Sequence, residues 1–223
     1  MLKIEKSPPL RDQVYERLKD LLLRGEFVPG DRVTEERVAE LLNVSRTPVR
    51  EALGRLMQQG ILERRPRGGF AVPSPSLEEM EDFIFLRQVL ELAVVDKVVA
   101  NSDLSDERNL TKIIKSEQRI LERDDPTEFF FLTMEFWKRF WTMSGSKGLI
   151  RFLERLADDY HYQFAAVMAL QDRDVRKEVI DDQKQLCQAI TRKDARLAAQ
   201  LVRAHLEFKK AKLVDALKKW RHR

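Results

Sequence analysis

A single cysteine, Cys187, stands among 223 residues, so no disulfide can form within the chain and a cysteine-rich zinc module is excluded. Histidine is almost as scarce, at three residues (His161, His205 and His222), and no two are spaced as a His-x-x-x-His pair. Glycine and proline number only eight each, which favours long uninterrupted helices over a turn-rich all-β fold. No apolar run approaches the roughly 18 residues that a membrane span requires, and the first ten residues lack the apolar stretch of a signal peptide. Together these absences predict a soluble, cytoplasmic protein of a reducing compartment, with no membrane partner.

Charge and hydrophobicity are present in globular proportions, at 35% and 43%. A net charge of +4 is too small to imply nucleic acid, so its placement carries more information. Residues 1–75 hold 14 Lys+Arg against 11 Asp+Glu, and the remainder 27 against 26. Within the first part, residues 44–69 hold six arginines and two glutamates. Arginine is the better fork for phosphates and for guanine edges.

Pro73-Ser74-Pro75-Ser76 is a short stiff segment that suits neither a helix interior nor a central strand. Ser76-Leu77-Glu78-Glu79 after it has the capping-box pattern of a helix start. Two domains are therefore expected, at 8–73 and 76–223, with the Pro-Ser-Pro-Ser segment as the joint. The expected fold is mainly α: an N-terminal winged helix-turn-helix with a small β-hairpin, then an all-α six-helix bundle.

The N-terminal part supports this locally. Leu10, Val14, Leu18 and Leu21/Leu22 recur at helical spacing, and Thr34 can cap a short second helix through Leu42. Ser45 or Thr47 can cap a third helix with Pro48 in its first turn, Val49, Ala52, Leu53, Leu56 and Met57 on its buried face and Gly60 at its end. Residues 61–64 and 69–72 read as strands joined by Pro66-Arg67-Gly68. With its apolar face packed inward, the third helix points its N-terminus outward, where Arg46 and Arg50 sit one turn apart beside Thr47. That end carries the positive helix dipole and free N–H groups, both attractive to phosphate. A merely solvated charged face would not place charge, cap and wing together.

Pro29-Gly30-Asp31-Arg32-Val33-Thr34-Glu35, the run Leu41 to Leu53 and Gly68-Gly69-Phe70-Ala71-Val72 resemble the GntR family of bacterial transcription regulators over about residues 8–75. The resemblance implies binding to a double-stranded DNA operator through Arg37, Ser45, Arg46, Thr47, Arg50 and the wing around Arg65, Arg67 and Gly68.

From Ser76 onward the periodicity gives six helices, at about 77–100, 105–123, 126–144, 146–170, 172–192 and 194–220. Ser105, Asp125 with Pro126, Gly145 and Asp194 mark their ends. Polar or large residues sit in apolar stripes: Arg87, Thr133, Trp137, His161, Gln183 and His205. Each alone suits a satisfied core group, but the set suggests a closed effector pocket. Arg87 offers a fork for a small anionic metabolite, with Phe136 and Trp137 as walls.

Leu86-Arg87-Gln88-Val89-Leu90-Glu91, Phe136-Trp137-Lys138-Arg139 with Ser144-Gly145-Ser146, and Ala189 to Asp194 with Ala204-His205-Leu206 resemble the FCD ligand-binding domain of the FadR branch of that family. Six helices would suit its VanR-like subgroup. Many such domains hold a divalent metal through one aspartate and three histidines, whose positions here fall on Thr133, Trp137, Gln183 and His205. One ligand of four survives, so no metal or other cofactor is expected at that site, His161 being the one residue that could join His205 in a rearranged one. The resemblance implies a homodimeric, ligand-responsive transcription regulator, more often a repressor. The alternatives are an effector-independent DNA-binding protein whose helices only dimerise, and a helical enzyme. The enzyme reading lacks a nucleophile motif, and the adjacent pairs Asp158-Asp159 and Asp181-Asp182 diverge on a helix, as solvent-facing or capping groups do.

Overall fold

The computed structural model describes residues 8–28, 30–66, 68–73 and 76–221; the side chains of residues 160, 161, 220 and 221 fall outside that description. The chain divides into two compact units, Met1–Pro75 and Ser76–Arg223. Residues 74 and 75 of the Pro-Ser-Pro-Ser segment lie outside the described residues.

The first unit runs α1 (Leu10–Leu23), β1 (Arg32–Val33), α2 (Glu35–Leu42), α3 (Arg46–Gln58), β2 (Glu63–Arg64) and β3 (Phe70–Ala71). Burial of Val14, Leu18, Leu21 and Leu22 on α1 against Val49, Ala52, Leu53 and Leu56 on α3 makes its core. Thr34 caps α2 by accepting from the Arg37 amide at 3.2 Å. Asn43, in the left-handed region at φ 51°, then turns the chain tightly into α3. Ser45 occupies the N-cap position of α3 without a side-chain cap bond. Its hydroxyl is therefore left for another partner.

The wing has one strand more than a hairpin. The antiparallel order is β1-β3-β2, with Arg32 opposite Ala71 and Glu63 opposite Ala71 on the other side. The strands are two residues long rather than four, and β1 is too short to show an alternating pattern. Gly69 is required where β3 meets β1: its φ is +82°, and a Cβ would approach the Val33 carbonyl oxygen to 3.3 Å.

The second unit contains α4 (Leu77–Asn101), α5 (Leu104–Arg123), α6 (Pro126–Met143), α7 (Lys147–Ala157), α8 (Tyr160–Ala169), α9 (Arg173–Thr191) and α10 (Ala195–Arg221). Seven helices thus replace the expected six among the described residues, because 146–170 is broken at Asp158-Asp159. Asp159 accepts from the Tyr162 amide at 2.9 Å, which starts a new helix instead of continuing the old one. The count that pointed to the VanR-like subgroup is therefore not met. Ser76 forms the expected capping box with Glu79. Asp103 with Asp106, rather than Ser105, caps α5.

The aromatic helix α6 lies at the centre, packed against α4, α5, α7 and α8, and buries Phe129, Phe136, Trp137, Phe140 and Trp141. α10 packs along α4 and also meets α8 and α9. Two cations, the exposed Lys193 and the buried Arg176, tie helix ends together. Lys193 donates to the carbonyls of Val99 at 2.8 Å and Ser102 at 2.5 Å, and Arg176 donates to the Leu170 carbonyl at 2.7 Å and pairs with Asp124. Among the described residues, no helix is long and apolar enough to cross a membrane.

Candidate nucleic-acid interface and interior polar site

On the first unit, Arg37, Ser45, Arg46, Thr47 and Arg50 are all exposed. The Arg37 guanidinium lies over the Phe27 ring, 4.5 Å from its centroid, which restrains an otherwise flexible side chain. Ser45, Arg46 and Thr47 begin α3, where the first N–H groups have no helical partner. Arg65 is exposed at the wing turn, which closes through Arg65 N–H to Gly69 O (3.2 Å) and Gly68 N–H to Arg65 O (3.1 Å). Arg67 lies outside the described residues.

Both helix arginines already have carboxylate partners on α2. Arg50 donates Nε–H and Nη2–H to the two oxygens of Glu35, each at 2.9 Å, and Arg46 pairs with Glu36. The hydrogen bond from Arg50 holds the Glu35 carboxyl below the usual range and, in return, raises Arg50. Exposed pairs of this kind are weak and screened by salt, so phosphate or a base edge can compete with them. Glu35 occupies one edge of the guanidinium and leaves Nη1 free to reach outward. Charge counted along 44–69 missed these partners because they lie across the turn.

Inside the second unit, Arg87 is completely buried. It donates Nε–H to Glu91 Oε1 at 2.5 Å and Nη1–H to the Tyr162 hydroxyl. Its guanidinium lies 5.2, 5.3 and 5.8 Å from the rings of Tyr162, Trp141 and Trp137. Burial opposes the Arg87 charge, but Glu91 and Tyr162 outweigh it and the pKa is raised. The anion-binding fork expected at Arg87 is therefore not open: Glu91 neutralises it and one nitrogen, Nη2, remains. The other cation nearby is Lys209, which burial holds below the ordinary lysine range.

Glu117, buried on α5, accepts from the Thr133 hydroxyl at 2.8 Å and from the Gln183 amide at 3.0 Å. Burial pushes its carboxyl up to about 7 against these two bonds. His205 Nδ1 lies 2.9 Å from Asp182 Oδ2, and its ring sits 4.8 Å from that of Trp137. Burial lowers the His205 pKa more than Asp182 raises it. The imidazole is thus neutral at pH 7, with its proton on Nδ1 because a carboxylate only accepts.

Arg87, Thr133, Trp137, Gln183 and His205 therefore share one interior, while the His161 side chain lies outside the described residues. Glu91, Glu117, Tyr162, Asp182 and Lys209 belong with them and were missed. Two carried a signal: Glu91 is one helical turn from Arg87, and Glu117 interrupts the stripe Leu110, Ile113, Ile114, Ile120 and Leu121. Buried without a hydrogen-bond partner are Arg87 Nη2, Glu91 Oε2, Glu117 Oε2, Gln183 Oε1, His205 Nε2 and the indole nitrogens of Trp137 and Trp141. Such groups are ordinarily satisfied. Phe130, Thr133, Val179, Phe208, Lys209 and Leu213 line a narrow cavity of about 20 Å³, room for a water or two.

The donor set does not fit the metal that the FCD resemblance implies. Thr133 spends its proton on Glu117, Trp137 has no lone pair to give, and Gln183 keeps only a carbonyl oxygen. His205 Nε2 is the one good nitrogen ligand, where transition metals want three or more. Among the described residues, no three His, Cys, Asp or Glu come together as a metal-holding group.

Comparison with known proteins gives two family matches: "Bacterial regulatory proteins, gntR family" over residues 10–72 and "FCD domain" over residues 82–208. The HTH-type transcriptional regulator YdhC of Bacillus subtilis is 28% identical over 91% of this chain and 90% of its own. The HTH-type transcriptional regulator McbR of Escherichia coli is 30% identical over 70% and 72%. The HTH-type transcriptional repressor RspR of the same species is 28% identical over 60% and 59%. Among solved structures, that of E. coli McbR/YncC superposes with a TM-score of 0.73 at 25% identity, covering 93% of this chain and 98% of the other. A GntR regulator from Rhodococcus also reaches 0.73, at 20% identity, covering 92% and 98%.

Proposed function

The chain belongs to the gntR family of bacterial regulatory proteins, with an FCD domain behind its DNA-binding unit, and from that premise we propose that it is a cytoplasmic, homodimeric repressor whose operator affinity is set by a small molecule held inside the second unit. It is a transcription regulator and not an enzyme, as its relatives are. The observation that carries effector control is the group of seven partnerless polar atoms inside α4, α5, α6, α9 and α10. A domain that only dimerises has no use for so many uncompensated buried groups, each of which costs stability. By linkage, an effector that binds the DNA-free form better weakens operator binding by the same factor. The deciding experiment is operator binding by the purified protein with and without the small molecules that co-purify with it. An affinity unmoved by any of them would favour the effector-independent reading.

Sequence reading is assigned to the exposed N-terminal end of α3. Arg50→Ala and Arg46→Ala should each cost about 1–3 kcal/mol of operator affinity and relax preference at one base pair. Arg67→Ala should weaken all sequences alike if its target is phosphate. Unchanged affinity in both helix variants, with their circular dichroism intact, would remove the assignment.

A second copy is needed because one winged helix reads only a few base pairs of a two-fold operator. Phe85, Leu86 and Val89 leave an apolar strip on α4, exposed by 65%, 47% and 49%. We assign that strip to the dimer contact. Phe85→Asp combined with Val89→Asp should shift sedimentation at micromolar concentration from dimer to monomer and weaken operator binding by roughly tenfold or more. A double variant that remains fully dimeric would place the interface elsewhere.

No tightly bound metal is proposed. Elemental analysis of protein purified without chelator should find zinc, nickel and manganese well below one equivalent. Near-stoichiometric metal that is lost in His205→Ala would overturn this.

A further inference from the structure

The partnerless atoms around Arg87 are of two kinds. Three are donors: Arg87 Nη2 and the indole N–H groups of Trp137 and Trp141. Two are acceptors: Glu91 Oε2 and His205 Nε2, the latter because Nδ1–H is directed at Asp182. Arg87 and Glu91 lie one turn apart on α4, and Trp137 and Trp141 one turn apart on α6. Both indoles lie within 5.8 Å of the Arg87 guanidinium. The His205 ring on α10 is 4.8 Å from that of Trp137. Donors and acceptors therefore occupy one locale, and its central charges, Arg87 and Glu91, cancel at 2.5 Å.

That arrangement discriminates among ligand classes. A simple carboxylate would satisfy the three donors but would crowd its charge against Glu91 and leave both acceptors bare. A simple amine would satisfy the acceptors but sit against the guanidinium and leave the donors bare. A molecule with a carboxylate and an ammonium one carbon apart matches both sets and brings no net charge into a locale whose formal charges, Arg87 and Lys209 against Glu91 and Asp182, already balance. We propose that the effector of this regulator is an α-amino acid or a closely related zwitterion, its carboxylate accepting from Arg87, Trp137 and Trp141 and its ammonium donating to Glu91 and His205. The proposal rests on the effector reading above and names its ligand class. The narrow cavity beside Lys209 is lined by none of these five residues, so a ligand here requires α4, α6 and α10 to part around Arg87.

The test is a thermal-shift series on the full chain with the standard L-amino acids, the matching α-hydroxy and deaminated acids, and the matching decarboxylated amines. At about a hundredfold excess over Kd, linkage should raise Tm by roughly 5–10 °C for at least one amino acid. Its hydroxy, deaminated and decarboxylated partners should bind at least tenfold more weakly. Glu91→Gln should move preference from the amino acid toward the deaminated acid. Trp137→Phe, which keeps the ring and removes the N–H, should weaken the amino acid without that change of preference, and it serves if Glu91→Gln does not fold. Equal or better stabilisation by hydroxy or deaminated acids would overturn the zwitterion and leave effector control standing. Silence from every amino acid would overturn the proposal and assign the partnerless atoms to water.

Discussion

Glu91→Ala is expected to destabilise the protein by roughly 3–5 kcal/mol, because it leaves the buried Arg87 guanidinium without its counter-charge. Arg87 and Glu91 both have no solvent exposure, and their bond is 2.5 Å long. An orphaned lysine could shed its proton and survive burial neutral. Arginine cannot at any ordinary pH, and a single hydroxyl from Tyr162 does not replace a carboxylate. For a chain of this size the loss amounts to a fall of about 6–20 °C in Tm. The double variant Arg87→Met/Glu91→Leu should recover most of it, since removing both charges also removes both desolvation costs. Urea denaturation of the two variants decides the matter. A Glu91→Ala loss under about 1 kcal/mol would mean that water reaches the guanidinium, and a double variant as unstable as the single would place the loss in packing.

The second large effect is on the pH dependence of stability, through Glu117. In the folded protein its carboxyl keeps its proton up to about pH 7, whereas an ordinary glutamate releases it near 4.5. Between these values the unfolded chain binds fewer protons than the folded one, so stability falls as pH rises. The contribution is fully present below about 4.5 and gone above about 7, and it amounts to on the order of 3 kcal/mol. Glu117→Gln cannot ionise, yet its amide oxygen can still accept from Thr133 and Gln183. The variant should lose this slope and exceed the parent protein in stability at pH 8. The difference between the two denaturation midpoints across this range is the informative quantity. His205, held neutral by burial, contributes a slope of the opposite sign below its ordinary pKa in both proteins. Parallel curves for parent and variant would show that Glu117 is ionised in the folded state at every pH tested.

Local periodicity placed Arg87, Thr133, Trp137, Gln183 and His205 on inward faces, and each of them is buried. It did so because a helix fixes which side of itself a residue occupies, whatever lies opposite. Caps were legible for the same reason at Thr34, Ser76 and Asp125, where a side chain bonds an amide three residues on. The break at Asp158-Asp159 was not, because an adjacent acidic pair suits a solvated helix face as well as a cap. β1 escaped because two residues carry no period, and it is a strand only through pairing with β3.

What the sequence determined by itself was therefore the family, the two kinds of unit and the faces that point inward. The tertiary structure decided which charges are spent. Arg50 meets Glu35 across a turn, Arg87 meets Tyr162 from 75 residues away, and Glu117 meets Gln183 from 66. A stripe of apolar residues says that a polar group will be buried. Whether it arrives there paired, neutral or still open to a ligand depends on what another helix brings within about 3 Å, and no spacing along one helix contains that distance.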